Sequence, residues 1–341
     1  MAGLYDADKQ LKMPGYMKGV INAVSSEAKF IALVGHAPAS ANKLAEWDVD
    51  MPERQGDPTG VEGADKTGDF GKYLPKQLRV YAQRVQSKGW KVTDLSELTD
   101  TASVKGKQAA ADQRAKDASN GMLSVQDLLL GNQDTADGGD AVDSKDRTRA
   151  VFSWLDNAAQ GVYPVHADCR PLAGQNYAGT LAGFTEDVFA AQLRVAGERI
   201  GRDVDLVGYC GSELTQHMSN WNKVVPVTAA SEASTLQVVS KQDDKRIIRK
   251  VQFFDFDGAS VKTVLQRRLM MDLTTGAAVA SAYTTKSGVF LDMSMWFLEW
   301  LEAWHNMNLT NEGGGPRGFH KGWLRLVCKY PGGQIRALIN S

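Results

Sequence analysis

The chain has 341 residues, with 39 basic against 40 acidic side chains, three cysteines and eight tryptophans. This length supports two or three domains and a large core, and the balanced charge gives no electrostatic ground for a nucleic-acid or anionic-membrane partner. Cys169, Cys210 and Cys328 are too widely and irregularly spaced for a disulfide framework or a zinc site. They are expected as small buried hydrophobes in a reducing compartment. No run approaches the ~20 apolar residues of a membrane span, and the opening M-A-G-L-Y-D-A-D-K lacks the apolar core of a signal peptide.

Residues 1–45 are polar and loosely patterned, with a modest helix expected over Tyr16–Leu33, before Pro38. Residues 46–75 hold five glycines and three prolines in a charged background, which makes turns. Gln77–Val92 then alternates through Leu78, Val80, Val85 and Trp90, so residues 46–92 read as a long, exposed, two-stranded excursion. Next, Val104, Gln108, Ala111, Ala115, Ala118, Met122, Val125 and Leu129 recur at three- and four-residue gaps. They predict one helical stripe over Thr101–Leu130, with Lys105, Lys107, Asp112, Arg114, Lys116 and Asp117 outside. Such a helix is about 45 Å long. Thr99 or Asp100 offers an N-cap and Gly131-Asn132 a stop. Its small-residue face suits a flat, close neighbour such as a sheet, and Gly106 and Gly121 require packing to hold it straight.

Aspartates follow at every third position, from Asp134 through Asp137, Asp140 and Asp143 to Asp146. A calcium loop of the EF-hand kind needs acids at every second position and a closing glutamate, so a solvated loop is expected here. Residues 147–183 are irregular. Thr185 then caps a helix through Arg199, with Val188, Phe189, Leu193, Val195, Ala196 and Ile200 apolar. A buried strand, Val204–Tyr209, and a helix over Glu213–Asn222 capped by Ser212 complete an α/β module. Strands are expected at Leu236–Ser240, Arg246–Phe256 and Ser260–Leu269, the last two turning at Asp257-Gly258. Residues 289–307 read as helix-like or mixed apolar. Two strands, Gly322–Tyr330 and Gln334–Ile339, close the chain across P-G-G.

The sequence contains no P-loop, no dinucleotide fingerprint, no H-E-x-x-H and no G-x-S-x-G. The nearest thiol–imidazole pair is His166 and Cys169 in H-A-D-C, where a nucleophile would still need a base in reach and a group to orient it. His36, His305 and His320 are scattered, and His217 reads as a satisfied, half-buried histidine in a helix. Gly313-Gly314-Gly315 has no strand–loop–helix context for a phosphate cradle and reads as a linker. No residue is assigned a catalytic, cofactor-binding or metal-ligating role.

The order of these parts resembles the major capsid proteins of tailed bacteriophages with the HK97-type fold. V-T-D-L-S-E-L-T-D, the long helix and L-L-L-G (Val92–Gly131) are similar to the entry into that family's spine helix. F-T-E-D-V-F through V-G-Y-C-G-S-E-L (Phe184–Leu214) resembles its axial core, and Val251–Leu269 and Lys321–Leu338 resemble its late strands. The resemblance implies an α+β subunit in four parts: an N-terminal arm at 1–45, an extended loop at 46–91, a peripheral domain at 92–179 and 251–341 with spine helix 101–130, and an α/β axial domain at 180–250. It implies a non-enzymatic shell protein of the virion, assembled in the host cytoplasm as pentamers and hexamers around double-stranded DNA, which it would enclose without sequence-specific binding. Portal, scaffold or decoration proteins would be further partners, and no membrane is involved. Two other readings stay open on the residues: a bacterial nanocompartment shell on the same fold, and a cytosolic thiol hydrolase using Cys169 and His166. Cys169→Ala is expected to leave assembly unaltered under electron microscopy, whereas loss of a measured hydrolytic activity in that variant would favour the enzyme.

Overall fold

The structure, a computed structural model, describes residues 29–38, 42–50, 76–94, 109–138, 145–158, 161, 163–221, 253–256, 259–266, 285–311 and 314–339. Its helices are α1 (Lys29–Leu33), α2 (Ala109–Leu129), α3 (Val151–Trp154), α4 (Glu186–Ile200) and α5 (Ser212–Ser219). Its strands are β1 (Gly35–Pro38), β2 (Leu44–Val49), β3 (Lys76–Tyr81), β4 (Gln83–Gln86), β5 (Trp90–Lys91), β6 (Asn176–Gly179), β7 (Val204–Cys210), β8 (Phe253–Phe256), β9 (Ala259–Leu265), β10 (Gly288–Leu291), β11 (Trp296–Leu309), β12 (Arg317–Cys328) and β13 (Ile335–Ile339).

The longest strands, β11 and β12, form an antiparallel hairpin that is the frame of a five-stranded sheet. β1 lies parallel to the start of β11, and β4 and β5 lie antiparallel to β12 on its other side. The 21-residue helix α2 packs on β12 and β5, approaching the hairpin most closely at Gly121. Beneath it lies a core of Phe30, Leu129, Phe152, Trp154, Trp296, Leu298, Leu324 and Leu326. A separate ribbon pairs β2 with β3 in antiparallel register, Leu44 opposite Tyr81 and Val49 opposite Lys76.

The second sheet has the order β6–β13–β10–β7–β9–β8. The two-residue alternation of its central strands divides it between two cores. Tyr209, Val289 and Leu291 face the first core; Leu206, Cys210 and Phe290 face a second, built with Phe189, Leu193 and Ala196 of α4 and Leu214 and Met218 of α5. The P-G-G turn, Pro331–Gly333, carries the chain from β12 in one sheet to β13 in the other. α4 starts where Thr185 Oγ1 accepts the Val188 N–H at 3.4 Å and stops at Gly201, which is left-handed (φ 70°).

Several expectations are corrected. Residues 296–309 are a 14-residue strand, not a helix, because pairing with β12 satisfies their backbone and drives Trp296 and Leu298 inward on a period of two. The stripe of α2 holds at its C-terminal end (Val125, Leu129), but Ala111 and Ala115 are exposed and Asp117, expected outside, is buried. Gln77–Val92 is not an exposed return strand: Leu78, Val80, Val85 and Trp90 are buried in the chain's own core. α5 begins at Ser212 with Gly211 as its N-cap, so Ser212 is the first helical residue rather than the cap. The hairpin β8–β9 pairs as expected, while its Asp257-Gly258 turn, Thr99–Gln108, Leu236–Ser240 and most of Tyr16–Leu33 lie outside the described residues.

Gly121 lets α2 approach the hairpin. A Cβ there would lie 2.6 Å from the Trp304 ring and 3.1 Å from Ser87 Cβ. Gly121→Ala should gain about 1 kcal/mol of helix propensity yet lose more to overpacking, typically ~1–3 kcal/mol. A lowered urea midpoint is therefore expected for this variant.

Candidate functional site

The residues singled out for chemistry do not assemble into a reactive centre. Cys169 is fully buried, and burial, with the Asp168 carboxylate as a lesser cause, pushes its thiol up, away from the thiolate a nucleophile needs. His166 is exposed; its Nδ1 accepts the Asp168 N–H at 3.3 Å, and its carbonyl accepts the Cys169 N–H at 2.9 Å. Cys210 and Cys328 are free and buried, as expected for packing residues. His217 is half-buried, bonded through Nε2 to the Phe184 carbonyl at 2.9 Å and set edge-on to Trp221. Gly315 is left-handed (φ 87°), in a turn that packs on Val92–Asp94 and is followed by the 3.0 Å bond from the Val92 N–H to the Pro316 carbonyl.

The described aspartates of the 134–146 stretch serve as counterions. Asp134 pairs with buried Arg149 at 2.8 Å. Lys43, just before β2, reaches Asp137 and Asp146 at 2.7 Å each, and these hydrogen bonds hold its ammonium above the ordinary lysine range. The root of the β2–β3 ribbon is thereby fastened to the loop after α2.

The most developed polar site lies where α2 crosses the β11–β12 hairpin. Asp117, on the buried face of α2, accepts three donors. The Ser87 hydroxyl and His320 Nδ1 (2.9 Å) reach its Oδ2, and the Gly89 N–H (3.0 Å) reaches Oδ1. Ser87 and His320 also share backbone bonds: the Ser87 N–H donates to the His320 carbonyl and the His320 N–H to Ser87 Oγ, both at 2.8 Å. Trp304 stacks on the His320 ring at 5.8 Å and 18°. Beside it Trp90 Nε1 donates to Asn306 Oδ1 at 2.8 Å, while Arg114 of α2 covers the Trp90 ring.

These are the residue types of a hydrolase triad, but their order is wrong for one. Ser87 gives its proton to the carboxylate, and its oxygen is taken up by a backbone N–H, so no imidazole is placed to activate it. The arrangement is a lock: one buried carboxylate ties a helix to the β4–β5 connection and to β12, at residues 30 and 203 positions away in sequence. Sequence reasoning missed all three members, since the period of α2 assigned Asp117 to solvent. The only available signal was an acid in register with Gly121 and Val125 on one helix face.

A long helix locked across a β-hairpin, a second sheet shared between two cores and a two-stranded ribbon are together the architecture of an HK97-like capsid subunit. Solved structures agree. The chain matches the capsid of cyanophage P-SCSP1u with TM-score 0.61 and 9% identity, over 98% of this chain and 94% of that one. It matches the cyanophage A-1(L) capsid with TM-score 0.60 and 11% identity, over 96% and 97%, and the capsid of a native GTA particle with TM-score 0.56 and 11% identity, over 97% and 96%. A comparison with curated proteins gave no match. The sequence matches the SU10 major capsid protein family over residues 5–332, and the chain belongs to that family. It is a major capsid protein, a structural component of the virion shell; neither the nanocompartment nor the thiol-hydrolase reading gains support.

Asp117→Ala would strand the Ser87 hydroxyl, the Gly89 N–H and the His320 ring without their shared acceptor. A loss of roughly 3 kcal/mol or more is expected from chemical denaturation. Asp117→Asn, which keeps one acceptor oxygen, should cost less.

Proposed function

We propose that this chain builds the head shell of a tailed phage by assembling with its own copies into pentamers and hexamers around packaged double-stranded DNA, without catalysing a reaction. The family match over residues 5–332 carries this reading. DNA is enclosed without sequence-specific contact, in keeping with 39 basic against 40 acidic residues. A portal, scaffold or decoration protein would meet the finished or growing shell.

Within the subunit we assign residues 1–45 to an N-terminal arm whose end, α1 and β1, joins the subunit's own core and sheet, the part of 46–91 before Leu78 to an extended loop over the neighbouring subunit with the remainder returning into the chain's own core, 92–179 and 251–341 to the peripheral domain and 180–250 to the axial domain. The six-stranded sheet would join the last two, because β7 of the axial segment pairs with β9 and β10 of the peripheral one. The paired β2 and β3 would form the root of the extended loop. Shells gain stability from interfaces larger than the ~1,600 Å² of a standard complex, and extended arms supply that area without enlarging the core.

Negative-stain electron microscopy with size-exclusion chromatography of the purified chain tests this. Rings, tubes or closed angular shells are expected. A monodisperse monomer or dimer at every salt and protein concentration would overturn the proposal.

A further inference from the structure

We propose that the groove along α2, between the helix and the β4–β5 segment, binds the phosphate backbone of double-stranded DNA without regard to sequence. The inference rests on the shell reading for the identity of the anion, and on the local distribution of charge for the place.

Two open clefts, about 520 and 650 Å³ in volume, meet at Gln86, Gly121 and Ser124. Together they follow one side of α2 from Gln113 to Leu128. That length is roughly 22 Å at 1.5 Å rise per residue.

Cations line both ends: Lys88, Lys91 and Lys116 in one cleft, Arg84 and Lys145 in the other. They come from three segments, namely β4–β5, α2 and the loop after it, so it is the fold that gathers them. Arg84, Lys88, Lys91 and Lys145 are exposed, and none of these four forms an ion pair among the described residues. The lining includes two carboxylates, and both are engaged elsewhere. Asp117 is held in the lock, and Asp146 answers Lys43 at 2.7 Å. The whole chain is balanced, 39 basic against 40 acidic residues, so this groove is a local excess of positive charge.

The residue types select phosphate over a protein partner. Four of the five cations are lysines, which are depleted at protein–protein interfaces and act as point charges toward phosphate. Gln86, Gln113, Asn120 and Ser124 stand between them, with side chains of the kinds that donate to phosphate oxygens. Contacts of this sort position a backbone and read no base. One strand of a duplex presents a phosphate every ~3.4 Å along the axis, about six over the groove's length. Five cations match that run.

Fluorescence anisotropy of the full chain with random-sequence duplex DNA, repeated over a range of NaCl concentrations, tests the proposal. Five phosphate contacts give a slope of log K against log salt of about −4.5. Lys88→Gln/Lys91→Gln should make the slope shallower by about two and weaken binding equally for every sequence. Arg84→Gln/Lys145→Gln, at the other end, should do the same. Arg194→Gln/Lys329→Gln, which removes two exposed cations outside the groove, should leave the slope unchanged. All three pairs alter exposed side chains, and unchanged circular dichroism verifies the fold. A wild-type chain that ignores DNA at low salt, or a slope that neither groove variant moves, would overturn the inference. Tighter binding of poly-glutamate than of DNA of equal charge would also overturn it, by pointing to an acidic protein partner. Electron microscopy scores the shell reading separately. Particles without DNA binding would sink the groove alone, whereas groove-dependent DNA binding by a chain that never forms particles would sink the shell alone.

Discussion

The buried carboxylate of Asp117 is the constraint on which the rest of the subunit depends. A carboxylate withdrawn from water is unfavourable unless donors replace its hydration. Here a hydroxyl, an imidazole N–H and a backbone N–H do so. Because these donors come from the β4–β5 connection and from β12, satisfying the charge also fixes the direction in which α2 crosses the sheet. Hydrophobic contact alone does not select a direction in this way. Gly121, one turn further on, then permits the close approach at which Trp304 covers the lock.

The same device recurs at other junctions. Arg325 of β12 reaches Glu299 of β11 at 2.5 Å and the Asn42 carbonyl at 2.9 Å, fixing the chain as it enters β2. Arg336 of β13 reaches the Phe152 carbonyl at 3.1 Å and Asp156 at 3.3 Å, tying the six-stranded sheet to α3. Gln175 donates to the carbonyls of Gly332 and Gln334 around the P-G-G turn. Each joins segments far apart in sequence through a buried or half-buried polar group with few alternative partners, which makes packing specific. A subunit of this kind behaves as a rigid tile. Rigidity matters for a shell, because many weak contacts sum only when the parts hold their geometry.

What was legible in the sequence was local. Thr185 caps α4 as expected, and the apolar spacing that follows it named the helix's buried face. The buried strand expected over Val204–Tyr209 stands at the heart of the second sheet, and the strands expected on either side of Asp257-Gly258 pair as β8 and β9. His217 and the three cysteines were placed by type and neighbourhood. What was not legible depended on distant partners. Nothing in the run Trp296–Leu309 distinguishes helix from strand by apolar spacing alone, because its tryptophans and leucines satisfy both periods; β12, found later in the chain, decides it. Asp117 sits among charged neighbours and looked like any solvated acid until Ser87 and His320 were brought to it by the hairpin. The regular aspartates after α2 read as a solvated loop, whereas Asp134 answers Arg149 and Asp137 and Asp146 together answer Lys43. Family resemblance supplied the fold class that local periodicity did not.

The most direct measurement is a cryo-electron microscopy reconstruction of particles assembled from the purified chain, at a resolution that shows side chains. The expected map shows a closed or ring-based shell in which α2 still crosses the β11–β12 hairpin, with Asp117 between Ser87 and His320. Particles in which α2 has left the hairpin, or in which Asp117 faces solvent, would contradict the claim that this lock holds the tile together in the shell.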